Sequence, residues 1–466
     1  MNFGFIVVLA LAVAAHVGQR RRPFAMPALS DGARLCLLLF ACLGLGGSLV
    51  LRGIVDGFIV SHQLTTITQS ALLNPVILDI VPASMSASDL AIMLSLLQSL
   101  MLGILVFALN DGKFSAVRWA IVIGTFVTML AVAGLDHILK SADLYAYAGY
   151  AKLGIAAYNP PSLPFAGSYR VINVFWGLPI TPCPYGPVWL ALVHAATEPA
   201  QSLAAKIFAL RSLSAAAFVL CALCLAVAKQ ERLAFAAFAL NPAIFEQYIV
   251  DGHNDLIAIA FILCATLVVG SPYLRILLFA LAICVKLPFA LVGAVVFTDI
   301  LDARRRLVLT ACGIALGLTA TVVLVGPAYA RALFSEITRR PQPDAWVALG
   351  HVVCLGAALA AIAGALFLRR FSPGAALPFA GIALLPFPWY AIWCIPYAGR
   401  AGVLVPLLIA LPLLTGFFSS TYEPTAIRTL LGVVLVLAAL ASSFVSLWRT
   451  RALSVPHPQD ALFSEP

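Results

Sequence analysis

Long uninterrupted apolar runs constrain this chain more than any other feature. A hydrocarbon core of about 30 Å takes about 20 apolar residues per helix, and runs approaching that length recur from one end of the sequence to the other. Of the 466 residues, 62% are hydrophobic and only 10% are charged, against roughly half apolar and about a quarter charged in a soluble protein. A soluble globular protein, a disordered chain and a nucleic-acid binder are excluded on that ground, despite a net charge of +9. Strands of a membrane barrel alternate apolar and polar residues, and these runs do not. The expected fold class is therefore all-α: a polytopic helical membrane protein with about 13 transmembrane spans, in a range of roughly 11 to 15.

The sparse basic residues predict a path through the membrane, because short cytoplasmic loops collect Lys and Arg. The clusters are Arg20-Arg21-Arg22, Lys113 with Arg118, Lys229 with Arg232, Arg275, Arg304-Arg305-Arg306, Arg369-Arg370, and Arg449 with Arg451. Placing all of them inside predicts spans near 2–18, 34–51, 91–109, 119–136, 204–228, 233–249, 255–270, 276–285, 288–301, 307–326, 346–368, 375–388, 390–400, 401–418 and 425–447. The shorter ones read as half-helices or re-entrant segments, which are tolerated where protein surrounds them. Met1 to Gly18 has no Lys or Arg before it and Arg20-Arg21-Arg22 after it, so it reads as a first transmembrane helix instead of a signal peptide. Segment 186–198 is apolar, but a full span there would push Lys229 and Arg232 outside; it is expected as a short re-entrant or interfacial helix. The same path leaves 52–90, 137–185, 251–254, 327–345 and 389–393 on the outer face. There is no internal repeat. Residues 1–453 read as a single integral-membrane domain with an outer catalytic loop at about 137–185, and 454–466 as a polar, disordered tail.

Ten cysteines show no metal-site spacing. Cys221 and Cys224 form a CxxC inside an apolar helix, where it is an i, i+3 pair of small hydrophobes. Cys183 and Cys394 are placed outside the membrane, and whether they pair is open. No metal and no cofactor are expected.

With so few charges, each polar group near a membrane boundary is informative. Asp136-His137 and Ser141-Ala142-Asp143-Leu144-Tyr145-Ala146-Tyr147 stand where span 119–136 ends. A carboxylate there can act as a general base towards a hydroxyl; alternatively Ser141 caps a helix and Asp143 sits in its first turn. Asn241-Pro242 and Asp251-Gly252-His253-Asn254-Asp255 offer carboxylates, an imidazole and an amide suited to sugar hydroxyls or a phosphate. A tight hairpin with Asn254 or Asp255 as N-cap is the alternative. Lys286-Leu287-Pro288 puts an ammonium at a helix break, able to hold a phosphate or to snorkel. Pro388-Trp389-Tyr390-Ala391-Ile392-Trp393 is either an interfacial aromatic belt or a stacking surface for a sugar ring or prenyl chain. Pro184-Tyr185-Gly186-Pro187 signals a turn. Arg331, Arg339 and Arg340, on the outer side, are candidate phosphate partners.

In this order the motifs resemble the integral-membrane GT-C glycosyltransferases, and among them the bacterial polyprenol-phosphate-mannose-dependent α-mannosyltransferases. The Ser-x-Asp-x-Tyr-x-Tyr run of that family is matched by Ser141, Asp143, Tyr145 and Tyr147, and its Gly-x-x-x-Tyr/Pro stretch by Gly154 to Pro160. Pro184 to Pro187, Asn241-Pro242, His253-Asn254-Asp255, Lys286 with Pro288, and residues 388 to 393 match the motifs that follow. The resemblance spans about 119–400. It implies a membrane hexosyltransferase that moves mannose from a polyprenyl-phosphate donor to a glycan or glycolipid acceptor. The reaction would run at the extracytoplasmic face of the cytoplasmic membrane, within the lipid bilayer and without nucleic acid, and would invert the anomeric centre. It implies Asp143 as general base. Lys286, with Arg339 or Arg340 in support, would hold the phosphate. His253, Asn254 and Asp255 would orient the sugar, with Tyr145, Tyr147 and Tyr185 beside it, and Trp389, Tyr390 and Trp393 would stack on sugar or lipid. Leu144 stands where many members carry a second acidic residue, which argues against a metal-dependent mechanism. The competing functional class is a transporter or flippase of lipid-linked sugars; such proteins usually show paired repeats and midplane charges. A subunit with the fold but no activity is the third.

Overall fold

The computed structural model describes residues 29–63, 87–110, 115–135, 143–160, 181–228, 232–339, 345–368 and 388–419. Among these residues every regular element is helical. The expected spans 2–18 and 425–447, nearly all of 375–388, the tail 454–466, and Asp136, Ser141 and Arg340 lie outside them.

The first three helices are α1 (Asp31–Gln63), α2 (Ala87–Leu109) and α3 (Ala116–Leu135). The short α4 (Asp143–Leu153) follows and tightens into a 3-10 turn, Gly154–Tyr158. Next come α5 (Pro187–Thr197), α6 (Leu203–Val227) and α7 (Arg232–Ala239). After Asn241 a single turn, Pro242–Ile244, opens into a π-helix, Phe245–Val250. Helices α8 (Asp255–Leu267) and α9 (Pro272–Val285) form an antiparallel pair, followed by the turns Phe289–Val292 and Gly293–Phe297. The described chain closes with α10 (Ala303–Val325), α11 (Pro327–Arg339), α12 (Ala345–Ala363), a 3-10 helix Pro388–Cys394, α13 (Ile395–Ala401) and α14 (Leu404–Ser419).

Four of these helices are long and apolar enough to cross a membrane: Asp31–Ile54 of α1, Ala116–Gly134 of α3, α6 and α10. The bent pair Arg232–Ala239 and Pro242–Val250, folded by 52° at Asn241-Pro242, can serve as a fifth. The bend has a plain cause. Pro242 has no amide hydrogen to continue the ladder, and Asn241 caps the new turn by accepting from the Ala243 amide at 3.2 Å while its own Nδ2 donates to Leu408 O at 2.8 Å.

Two departures from the expected path stand out. Helix α1 runs to Gln63, well past the expected end at 51, and the outer segment 327–345 is largely helical, as α11. Two of the arginines used to trace that path, each in the first turn of a helix, are buried. Arg306 donates to Leu366 O at 2.8 Å and Phe367 O at 3.2 Å, and Arg275 pairs with Asp299 and lies over the Phe297 ring at 5.0 Å. Their guanidinium donors satisfy carbonyls that helix ends leave without partners.

Helix α5 packs on α4, α6 and α9, and α8 packs on α6 and α9. This central group holds the buried polar residues Asp251, His253, Asn254, Asp255 and Lys286.

Candidate active site

Helix α4 starts at Asp143, so this carboxylate lies in the first turn, where the helix dipole favours negative charge. Residues four apart on a helix face the same way, which puts Tyr147 beside it: Tyr147 Oη donates to Asp143 Oδ2 at 3.3 Å. Tyr147 is also hydrogen-bonded to Tyr185 Oη at 3.4 Å, and the two rings meet edge to face at 5.3 Å. Burial, with Asp143 close by, holds the Tyr147 phenol well above its usual range, so it stays a proton donor to the carboxylate. Tyr145 is on another face of α4. It is buried near Arg211, and burial pushes its phenol up to about 12.

The second side of Asp143 comes from a loop 110 residues away: His253 Nδ1 is 2.9 Å from Asp143 Oδ2. His253 is buried, whereas the Asp143 side chain keeps 18% of its surface accessible. Gly252 makes this approach feasible. Its φ is +72°, and a Cβ there would overlap the Leu144 side chain, next to Asp143. The loop is braced by Arg211, which donates from Nε and Nη2 to Val250 O at 3.2 and 3.0 Å and from Nη1 to Gly134 O at 3.4 Å.

Asp255 and Lys286 form the other half. Asp255, buried in the first turn of α8, accepts from Lys286 Nζ and from Trp393 Nε1, both at 2.8 Å on Oδ1. Lys286 is where α9 ends; its extended backbone breaks the helix before Pro288. Its ammonium lies over the rings of Tyr390, Trp393 and Tyr185, at 4.3, 5.6 and 5.7 Å. Tyr390 and Trp393 stack on each other at 4.7 Å. Cation–π contacts of this kind contribute about 2 kcal/mol when desolvated. Tyr185 touches both halves, through Tyr147 and through Lys286.

The turn Pro184–Pro187 delivers Tyr185. Gly186 N donates to Val285 O at 2.9 Å, and a Cβ on Gly186 would overlap the Cys284 carbonyl. Pro187 starts α5 at the position where a missing amide hydrogen costs nothing. Gly186→Ala must push α5 away from the end of α9, so we expect a loss of about 1–3 kcal/mol, typical of overpacking. Thermal unfolding of the purified variant in detergent checks this; an unchanged midpoint would contradict the tight approach.

The structure thus brings Asp143, Tyr147, Tyr185, His253, Asp255, Lys286, Tyr390 and Trp393 together. Asn254 sits among them as the residue before α8, making no side-chain capping bond. Arg339 ends α11, and its side chain, like those of Trp389 and Arg340, falls outside the described residues. Cys183 and Cys394 are buried free thiols near carbonyls of Tyr185 and Ala391. Among the described residues, no three His, Cys, Asp or Glu side chains converge as a metal site.

Sequence reasoning passed over Arg211, although a guanidinium inside an apolar helix is a signal in itself. It also passed over Glu246, on the π-helix, which accepts from Gln98 Nε2 at 3.0 Å and lies 3.8 Å from Arg52 Nε. Cys264 meets Cys224 at 3.6 Å between α6 and α8, a contact that the CxxC spacing alone does not reveal.

A buried tyrosine and imidazole on one partly accessible carboxylate make a group that can take a proton from a hydroxyl. The segment that contributes Asp143, Tyr185, His253, Asp255 and Lys286 is also the one that compares with known proteins. Residues 135–301 match the MptA_B family, alpha-(1->6)-mannopyranosyltransferase, N-terminal domain. The match supports a mannosyltransferase of this type. It covers about a third of the chain, and Tyr390 and Trp393 lie beyond it. No curated protein and no solved structure matches the chain. Together with the apolar helices, the match supports a membrane mannosyltransferase, with a sugar donor, an acceptor and the bilayer as its partners.

Proposed function

We propose that this chain is an inverting mannosyltransferase of GT-C type. It takes mannose from a polyprenyl-phosphate donor at the extracytoplasmic face of the cytoplasmic membrane and passes it to a glycan or glycolipid. One integral-membrane domain, 1–453, does this. The observation that carries the proposal is the Asp143 carboxylate, held by His253 and Tyr147 and still 18% accessible, inside the matched segment.

Asp143 accepts the proton as the acceptor O–H bond breaks. The hydroxyl oxygen bonds to the sugar C1, and the C1–O bond to phosphate breaks with its electron pair leaving on the phosphate. One displacement inverts the anomeric centre. The departing phosphate needs fixed positive charge in a site shielded from water. Lys286 supplies part of it. Asp255 already binds this ammonium, and Arg339 or Arg340 supports it. An ammonium carries three donors, so Lys286 can serve Asp255 and a phosphate oxygen together. Asn254 and Tyr185 orient the sugar, with Tyr145 further back. Trp389 stacks on sugar or lipid, while Tyr390 and Trp393 enclose the lysine.

The purified protein in lipid vesicles, given polyprenyl-phosphate mannose or a nucleotide-linked mannose with a membrane glycan fraction, tests the donor. Transfer from the lipid donor alone is expected, with a product anomer opposite to that of the donor. Transfer from the nucleotide sugar alone, or retention of configuration, would overturn the proposal.

A further inference from the structure

The geometry points to His253 as the positioning residue of Asp143, acting through the carboxylate instead of on the sugar. The inference rests on Asp143 being the base, and two features of the fold aim the imidazole at it. The ring nitrogen that meets Asp143 Oδ2 is Nδ1, at 2.9 Å, and the His253 amide is itself tied to Gln247 O at 3.2 Å, where the π-helix unwinds. Gly252, at φ +72°, then turns the chain so that His253 faces α4. The imidazole is 3% accessible, with the Tyr248 ring 6.3 Å away, so a sugar would have to displace packed protein to reach it.

Tyr147 and His253 converge on the same oxygen, Oδ2. Two donors at one oxygen fix both the position of the carboxylate and its rotation. With Nδ1 protonated, His253 donates to Asp143 while the carboxylate is charged and waiting for substrate. The acceptor proton then moves to Asp143, and the pair stays in contact. An unrestrained aspartate at a helix start samples several rotamers, and a misplacement of about 1 Å at a reacting group can cost about 10²-fold in rate.

Side-chain geometry separates this role from packing. Asparagine places its amide donor where Nδ1 is, whereas glutamine places its amide near Nε2. In full-length protein in lipid vesicles, with polyprenyl-phosphate mannose varied at a fixed level of membrane glycan fraction, His253→Ala and His253→Gln should lose about 10²-fold in kcat with little change in donor KM. His253→Asn should recover most of that loss. Equal losses in all three variants, or an effect confined to KM, would overturn the inference. If Asp143→Asn, run beside them, keeps full activity, it is the base assignment that fails. A second readout does not depend on turnover. In protein labelled with 15N-histidine, a strongly deshielded Nδ1–H proton should be present, shifted in Asp143→Asn and lost in His253→Asn. With seven histidines in the chain the signal is assignable; its absence in the wild type would contradict the contact.

Discussion

Asp143→Asn is expected to lower kcat by about 10²–10⁴-fold, the range associated with loss of general-base assistance, and to leave donor KM within a few-fold. Asparagine keeps an oxygen for His253 Nδ1 and Tyr147 Oη, so the hydrogen bonds that position the side chain survive. What it cannot do is accept the proton of the acceptor hydroxyl. A loss in kcat without one in KM marks an interaction that matters in the transition state and not in binding. The side chain is partly accessible and does not build the core, so the variant should purify and unfold like the wild type. Steady-state transfer with varied donor measures both constants. A rise in KM with unchanged kcat would make Asp143 a binding residue.

The second large effect belongs to stability. Asp255→Ala should destabilise the protein by about 3–5 kcal/mol, the cost of leaving one partner of a buried ion pair unpaired. The Lys286 side chain, enclosed by Tyr390, Trp393 and Tyr185, would be left without its anion. Trp393 Nε1 would lose its acceptor as well. The aromatic faces offset part of the loss, because cation–π attraction persists. Removing both charges, as in Asp255→Ala with Lys286→Met, should therefore cost clearly less than the sum of the single changes. A double-mutant cycle from thermal or denaturant unfolding in detergent reads the coupling. Additive losses would show that the contact carries no coupling energy.

Much of this arrangement can be read as a list of residues and little of it as a set of pairs. Apolar runs predict helices because a backbone in lipid must satisfy its own hydrogen bonds, and the described residues are helical throughout their regular elements. Asp143, His253, Asp255, Lys286 and Trp393 each stand out as a polar or aromatic residue at the edge of an apolar run. Which meets which depends on how helices pack. His253 is 110 residues from Asp143, Lys286 is 31 from Asp255, and Trp393 is 138 from Asp255. Sequence logic gives His253 and Asp255 to the sugar and Lys286 to the phosphate; it does not reveal that His253 meets Asp143 or that Asp255 meets Lys286.

Gly186 and Gly252 read as turn residues in the sequence. Their need for close approach appears only against Cys284 and Leu144. Arg211 shows the converse case. Its charge is visible inside an apolar helix, but its purpose, to brace the end of the π-helix against α3, is visible only in three dimensions.

The most direct test is a comparison of carboxylates. Wild type, Asp143→Asn, Asp136→Asn and Asp255→Asn, each purified and reconstituted, would receive radiolabelled polyprenyl-phosphate mannose and a membrane glycan fraction. Transfer should persist in Asp136→Asn, fall in Asp255→Asn in step with its lost stability, and drop by about 10²–10⁴-fold in folded Asp143→Asn. Full transfer by Asp143→Asn, with loss in one of the other two, would contradict Asp143 as the base.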